Sequence, residues 1–127
     1  SWTPYGGKPA LYREKWKIVA DAFKRYAPNV ALMWCPNHSP EKPIEDYYPG
    51  DDFVDWVGVN FYAVPYYDNN PKNSGIYDNP VDRIKYAYNL HAANKPVVIG
   101  EFSASRQAVG ENIDRSEWAA RKFADLY

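Results

Sequence analysis

The sequence lacks several features that would each indicate a particular class of protein. It contains one cysteine, Cys35, so no disulfide can form within the chain. Its 15 basic and 16 acidic residues give a formal net charge of -1, which provides no electrostatic reason to expect nucleic acid or an anionic membrane surface as a partner. No apolar run approaches the roughly 20 residues that a membrane-spanning helix needs. We therefore expect a globular domain that binds neither nucleic acid nor a membrane.

Motifs for metals, phosphates and activated nucleophiles are missing as well. The two histidines, His38 and His91, are far apart and have no partner at the spacing of zinc ligands. The acids near Asp51 lack the spacing of a calcium loop, and no glycine-rich turn opens a helix as phosphate-binding loops do. Cys35 has no obvious histidine partner, and we interpret it as a buried, unreactive thiol. We expect neither a metal ion nor an organic cofactor.

Aromatic residues are what the sequence has in excess. They make up 17% of the chain, with 12 Tyr and 5 Trp, and many lie in segments rich in Pro, Asn and Gly. Sugars present flat C–H faces and many hydroxyls, so their binding sites favour aromatic platforms beside amide and carboxylate groups. Alternatively, the tyrosines pack loops onto a rim while their hydroxyls stay in water. The candidate sugar contacts are Trp2, Trp34, Asn37 and Tyr66.

Helical and extended patterns alternate along the chain. Apolar residues at steps of three and four predict a helix from Ala10 to Ala27, which Pro28 stops. Asn79 and Pro80 provide a cap and a first-turn proline for a second helix. The further predictions are strands at 30–35, 56–62 and 97–101, and helices at 80–93 and 114–127.

The loops of these predicted elements are unequal. The segments that follow the first two strands are long and polar, whereas those that enter the strands are short. A (β/α)8 barrel has this asymmetry, because the loops after its strands build the active site. A doubly wound sheet is the competing architecture. We predict an α/β fold with a parallel sheet, as part of a (β/α)8 TIM barrel.

Glu101 is the leading candidate for chemistry. It ends an apolar strand, so its carboxylate is expected at the carboxyl rim of the sheet, where barrel enzymes keep catalytic groups. Burying a carboxylate is costly unless it is paired or used, and a structural pair with Arg or Lys is the alternative. Tyr62 ends the preceding strand, and a phenol donor there would keep the carboxylate ionised and oriented. Trp34 ends the strand before that; it could equally fill the core, and Tyr62 could pack a loop.

Three segments resemble glycoside hydrolase family 26. They are NVALMWCPN (29–37), DYYPGDDFVDWVGVNFY (46–62) and KPVVIGEFSAS (95–105), and they look like that family's fifth, sixth and seventh strands. The resemblance implies that Glu101 is a catalytic nucleophile, that Tyr62 hydrogen-bonds to it, and that Trp34 is an aromatic residue near the substrate cleft. It also implies a retaining mechanism without a cofactor, in which a second carboxyl about 5–5.5 Å away serves as acid and base.

The resemblance also carries expectations about what lies outside this sequence. In that family the acid/base glutamate belongs to the fourth strand, which we expect before Ser1, and the eighth strand is expected after Tyr127. We therefore interpret residues 1–127 as a single fragment of a barrel domain, weakly active or inert alone. Its open strand edges favour self-association.

The resemblance points to a β-linked polysaccharide as substrate, with β-1,4-mannan as the leading expectation. Such a polymer is met outside the cell, so we expect a secreted or surface-attached protein. Asn60 and Phe61 depart from the pattern, because mannanases usually have Asp-Gly there. The alternatives are a retaining xylanase or β-glucanase of a related barrel family, and a carbohydrate-binding module without catalytic activity.

Overall fold

The computed structural model describes residues 4–37, 44–63, 79–106 and 114–127. Within these segments, helices and strands follow one another along the chain. In order, the elements are α1 (Pro9–Tyr26), β1 (Met33–Trp34), β2 (Trp56–Ala63), α2 (Pro80–His91), β3 (Val97–Ala104) and α3 (Ser116–Ala124). Two short 3-10 turns, Glu45–Tyr47 and Asp51–Phe53, lie between β1 and β2.

The strands form one parallel sheet in the order β1-β2-β3. This confirms the α/β class and the parallel sheet, and it is compatible with part of a barrel. Parallel neighbours need a crossover connection, and α2 lies in the connection from β2 to β3. No helix in the described segments combines the length and the apolarity needed to cross a membrane.

Local signals explain where the helices begin and end. The side-chain oxygen of Asn79 accepts a hydrogen bond from the Val81 amide at 2.9 Å, so α2 starts at the predicted cap. Helix α1 begins at Pro9. Trp16 holds it against the segment between β1 and β2, because its indole donates a hydrogen bond to the Phe53 carbonyl at 2.8 Å. Its predicted apolar stripe is only partly covered, since Ala20 is its one buried residue.

The core lies where the helices pack on the sheet, and β2 is its centre. Val57 and Val59 are fully buried and Phe61 is 1% exposed. One apolar cluster surrounds Trp34 and Val57, and a second joins Val59 and Phe61 to Ala87 of α2. Phe102 of β3 packs beside Phe61, with their ring centroids 5.0 Å apart.

Strand β1 is shorter than the predicted 30–35. The amide of Leu32 donates to the Asp55 carboxylate at 2.7 Å, and its carbonyl accepts from the backbone amides of Asp55 at 2.8 Å and of Trp56 at 3.2 Å. The ladder with β2 starts at the next residue, where Met33 pairs with Trp56. The Asp55 carboxylate thus takes the place of a strand partner for the Leu32 amide.

Strand β3 is longer than predicted. It continues past Glu101 to Ala104, so Glu101 lies inside the strand. Residues 97–100 are at most partly buried, because β3 borders the sheet on one side and Ile99 is 38% exposed. The helices therefore cover the apolar side chains of β3 only in part.

Candidate active site

The pairing of the strands determines which side chains share a face. Successive residues of a strand point to opposite faces, and paired residues of parallel strands point to the same face. On β2, Val57, Val59 and Phe61 are buried in the core with the helices. Asn60 and Tyr62, which alternate with them, therefore lie on the opposite face of the sheet.

A β-bulge moves Glu101 onto that opposite face. Val59 pairs with Ile99, but Asn60 pairs with Glu101, so the register shifts by one residue and Gly100 is left without a partner. In an unbroken ladder Glu101 would lie on the same side as Ile99, toward the helices. The bulge instead aligns it with Asn60, and bulges that redirect a side chain are common next to active sites.

Gly100 has no room for a side chain. A Cβ atom built on it would lie 2.2 Å from Cys35 Sγ and 2.6 Å from Asn60 Oδ1. Both distances are shorter than any real contact of a Cβ atom, which explains why glycine occupies the bulge. A glycine inside a strand is typical of a bulge or of a close approach by other groups, and Gly100 combines the two.

Tyr62 and Glu101 meet on this face through a side-chain hydrogen bond. The phenol of Tyr62 donates to Glu101 Oε2. This hydrogen bond, together with a smaller contribution from burial, raises the pKa of Tyr62, so the phenol keeps its proton and remains a donor near neutral pH. Glu101 Oε1 has no hydrogen-bond or ionic partner among the described residues. Tyr62 therefore binds one oxygen of an exposed carboxylate.

Cys35 and Asn60 form a second contact on the same face. The thiol of Cys35 donates to Asn60 Oδ1 at 2.9 Å. Burial, and secondly the charge of Glu101, raise the pKa of Cys35, so the sulfur stays protonated. Cys35 is half-buried and faces Gly58 and Gly100, which agrees with an unreactive thiol but adds a specific partner.

Asn37 lies beside Asn60 on the next stretch of backbone across the sheet. It forms an isolated parallel bridge with Asn60, whose amide donates to the Pro36 carbonyl at 3.0 Å. Asn37, Asn60 and Glu101 therefore occupy matching positions on three successive stretches of backbone. We call Asn37, Asn60, Tyr62 and Glu101 the Glu101 face.

Trp34 lies elsewhere. It pairs with Val57, which places it on the helix side of the sheet, and it is 1% exposed. Its ring lies 5.1 Å from that of Tyr48 and 5.8 Å from that of His91, both edge-on. The structure does not bring Trp34 to the Glu101 face. Trp2 and Tyr66, the other two predicted sugar contacts, fall outside the described residues.

The chemistry available on the Glu101 face is that of an oriented carboxylate beside amide groups. In the described segments, no three or more His, Cys, Asp or Glu side chains converge as metal ligands would. Tyr62 binds one oxygen of the carboxylate, and Asn37 and Asn60 carry groups that hydrogen-bond to hydroxyls. Such a face suits a polyhydroxylated substrate.

The sequence predicts Glu101, Tyr62 and Asn37 as site residues, but Asn60 stood out only as a departure from the mannanase pattern and Cys35 only as an unreactive thiol without a partner. A signal for Asn60 existed, because Val57, Val59 and Phe61 alternate with Gly58, Asn60 and Tyr62. That alternation predicts one apolar and one polar face. The partnership with Cys35 had no comparable signal, since it depends on which strands are neighbours.

The chain is similar in sequence to known glycoside hydrolases. The family model described as glycosyl hydrolase family 26 matches residues 1–111. The β-1,3-xylanase TXYA of Vibrio sp is 29% identical over 89 residues, which cover 68% of this chain and 17% of that protein. A β-1,3-xylanase of Alcaligenes sp is 27% identical over 95 residues, covering 72% of this chain and 18% of that protein. The matched part is thus about a sixth of the length of these curated relatives.

Proposed function

Because the chain belongs to glycosyl hydrolase family 26, we propose that it carries the nucleophile of a retaining endo-β-glycosidase, and that this nucleophile is Glu101. The observation that supports this best is the pairing of Tyr62 with Glu101 on the face opposite the helices. In the proposed reaction a Glu101 oxygen attacks the anomeric carbon as the glycosidic C–O bond breaks. Water then hydrolyses the glycosyl-enzyme, with inversion at each of the two steps.

Tyr62 has a defined part in this proposal. Its phenol holds Oε2, which leaves Oε1 as the attacking atom and limits rotation of the carboxylate. Orientation of a reacting group lowers the barrier because less freedom is lost in reaching the transition state. A second carboxyl protonates the leaving oxygen and later activates water.

We further propose that β1, β2 and β3 are the fifth, sixth and seventh strands of a (β/α)8 barrel. Their parallel order supports this, as does the placement of Tyr62 and Glu101 away from the helices, toward the interior of such a barrel. A barrel of this type takes about 250 residues. For the whole protein we propose cleavage of a polysaccharide. This substrate is its expected partner, and the protein meets it outside the cell.

For the substrate we propose β-1,3-xylan. Both named relatives are β-1,3-xylanases, and Asn60-Phe61 stands where mannanases usually have Asp-Gly. The earlier expectation of β-1,4-mannan rests on the family resemblance alone. It therefore serves as the main competing substrate in the test.

The test uses the complete gene product with four polymers: β-1,3-xylan, β-1,4-xylan, β-1,4-mannan and mixed-linkage glucan. We expect β-1,3-xylan to be cleaved fastest, and proton NMR to show the β-anomer of the product forming first. Glu101→Ala should lose turnover, and azide should restore it by replacing the missing carboxylate. Glu117→Ala removes an exposed acid of α3 and serves as the matched control.

Two results would contradict the proposed mechanism, and a third would contradict the proposed substrate. An α-anomer formed first would mean inversion and a different role for Glu101. Full turnover by Glu101→Ala would mean that another group is the nucleophile. Faster cleavage of mannan than of β-1,3-xylan would leave the mechanism in place but overturn the proposed substrate.

A further inference from the structure

We propose that Cys35 is a positioning residue for Glu101 and acts through Asn60, an inference that rests on the proposed role of Glu101 as nucleophile. Cys35 does not touch the carboxylate in the described contacts. It donates to Asn60 Oδ1 at 2.9 Å, and Asn60 is the residue that pairs with Glu101 across the bulge.

The first support for this proposal is the space above Gly100. Cys35 Sγ and Asn60 Oδ1 lie 2.2 and 2.6 Å from the position of a Cβ atom on Gly100. Thiol and amide together therefore cover the glycine from one side. The backbone that carries Glu101 cannot move closer to β1 and β2 without colliding with this thiol and this amide.

The second support is the direction of the Asn60 side chain. Its amide oxygen is turned toward the thiol and toward Gly100. A free asparagine would rotate among several conformers, whereas the thiol donor selects one. Asn60 and Glu101 are paired on neighbouring strands and on one face, where paired side chains stand about 5 Å apart, so we expect a fixed Asn60 to limit the rotamers of Glu101.

The donor must be protonated for this to work. Burial and the charge of Glu101 both raise the pKa of Cys35, and so the thiol remains a donor at neutral pH. A serine in its place offers a hydroxyl donor of similar size, while an alanine offers none. These two substitutions separate the hydrogen bond from the rest of the side chain.

The experiment measures kcat, KM and melting temperature for variants of the complete gene product. Cys35→Ala should lower kcat by about tenfold with KM changed less than about twofold, as expected for one neutral hydrogen bond that orients a reacting group. Cys35→Ser should recover kcat to within about threefold of the parent. Met33→Ala, which truncates a larger side chain on the same face of β1, should leave kcat unchanged even if it lowers the melting temperature.

A double-mutant cycle shows whether the effect passes through Asn60. In the Asn60→Ala background, Cys35→Ala should have no further effect on kcat, because the acceptor of the thiol is already gone. An undiminished effect in that background overturns the proposal, and so does a Cys35→Ser variant as slow as Cys35→Ala. Equal kcat for Cys35→Ala and the parent overturns it too.

Failure of this inference is distinguishable from failure of the proposed function. If Glu101→Ala is inactive and rescued by azide while the Cys35 variants are unaffected, only the positioning role is wrong. If Glu101→Ala is fully active, the nucleophile assignment itself fails, whatever the Cys35 variants do.

Discussion

Gly100→Ala is the substitution whose effect follows most directly from the geometry. The new Cβ atom would be placed 2.2 Å from Cys35 Sγ and 2.6 Å from Asn60 Oδ1. Comfortable contacts between such atoms are about 3.5–4.0 Å, so the backbone or both neighbours must move by about 1 Å. Overpacking of this kind costs about 1–3 kcal/mol. The loss of glycine's freedom in the unfolded chain offsets up to about 1 kcal/mol.

The assay is urea unfolding of the parent, Gly100→Ala, Cys35→Ala and the double variant. Cys35→Ala removes the closer of the two clashing atoms but leaves Asn60 Oδ1 in place, so we expect partial relief. The double variant should be more stable than the sum of the single effects predicts, by about 0.5–3 kcal/mol, the range measured for contacting residues.

Gly58→Ala is the matched control. Its Cβ atom would also be too close to Cys35 Sγ, at 2.6 Å, but it lies away from the bulge. Both glycine variants should lose stability because each new Cβ atom crowds Cys35 Sγ, whereas Gly100→Ala should lower kcat more, since it also crowds Asn60 and lies next to Glu101. Strict additivity of Gly100→Ala and Cys35→Ala would refute the packing argument.

Three further predictions follow from single contacts. Tyr62→Phe removes the donor to Glu101 and should lower kcat by about tenfold or more, since hydrogen bonds to charged groups are the stronger ones; kcat unchanged in steady-state assays would contradict this. Burial lowers the pKa of His91 below 6.5 in the folded protein. As the pH drops below about 7, the imidazole therefore takes up a proton more readily in the unfolded chain than in the folded one, and the free energy of unfolding should fall. In urea titrations at several pH values, His91→Phe should make the free energy of unfolding depend less on pH. Asn79→Ala should cost about 1 kcal/mol by uncapping α2, with Asn79→Ser close to the parent, and equal losses would contradict the capping role.

The parts of the fold that depend on local signals were predictable from the sequence. Asn79-Pro80 begins α2 as expected, and the alternation of helices and strands with unequal loops correctly indicated a parallel sheet. These features depend on residues close together in the chain. The hydrogen bonds by which Asp55 shortens β1 join residues 23 positions apart, and no local pattern predicts them.

The candidate site shows where sequence reasoning stops. Successive side chains of a strand point to alternate faces of the sheet. A shift of one residue in the pairing register therefore moves a side chain to the opposite face. Trp34 was expected at the cleft and lies on the helix side, whereas Glu101 reaches the opposite face only because of the bulge at Gly100. The glycine was visible in the sequence, but its consequence depends on the neighbouring strand.

The central claim is that Glu101 is the nucleophile of a retaining reaction, and covalent trapping tests it most directly. The complete gene product is incubated with 2-deoxy-2-fluoro glycosides of xylose, mannose and glucose that carry a dinitrophenyl leaving group, which departs without acid assistance. Mass spectrometry of the digested protein then locates the sugar. The account predicts an adduct on the peptide that contains Glu101 and none in Glu101→Ala; an adduct on another carboxylate, or none in a sample that hydrolyses polymer, would contradict it.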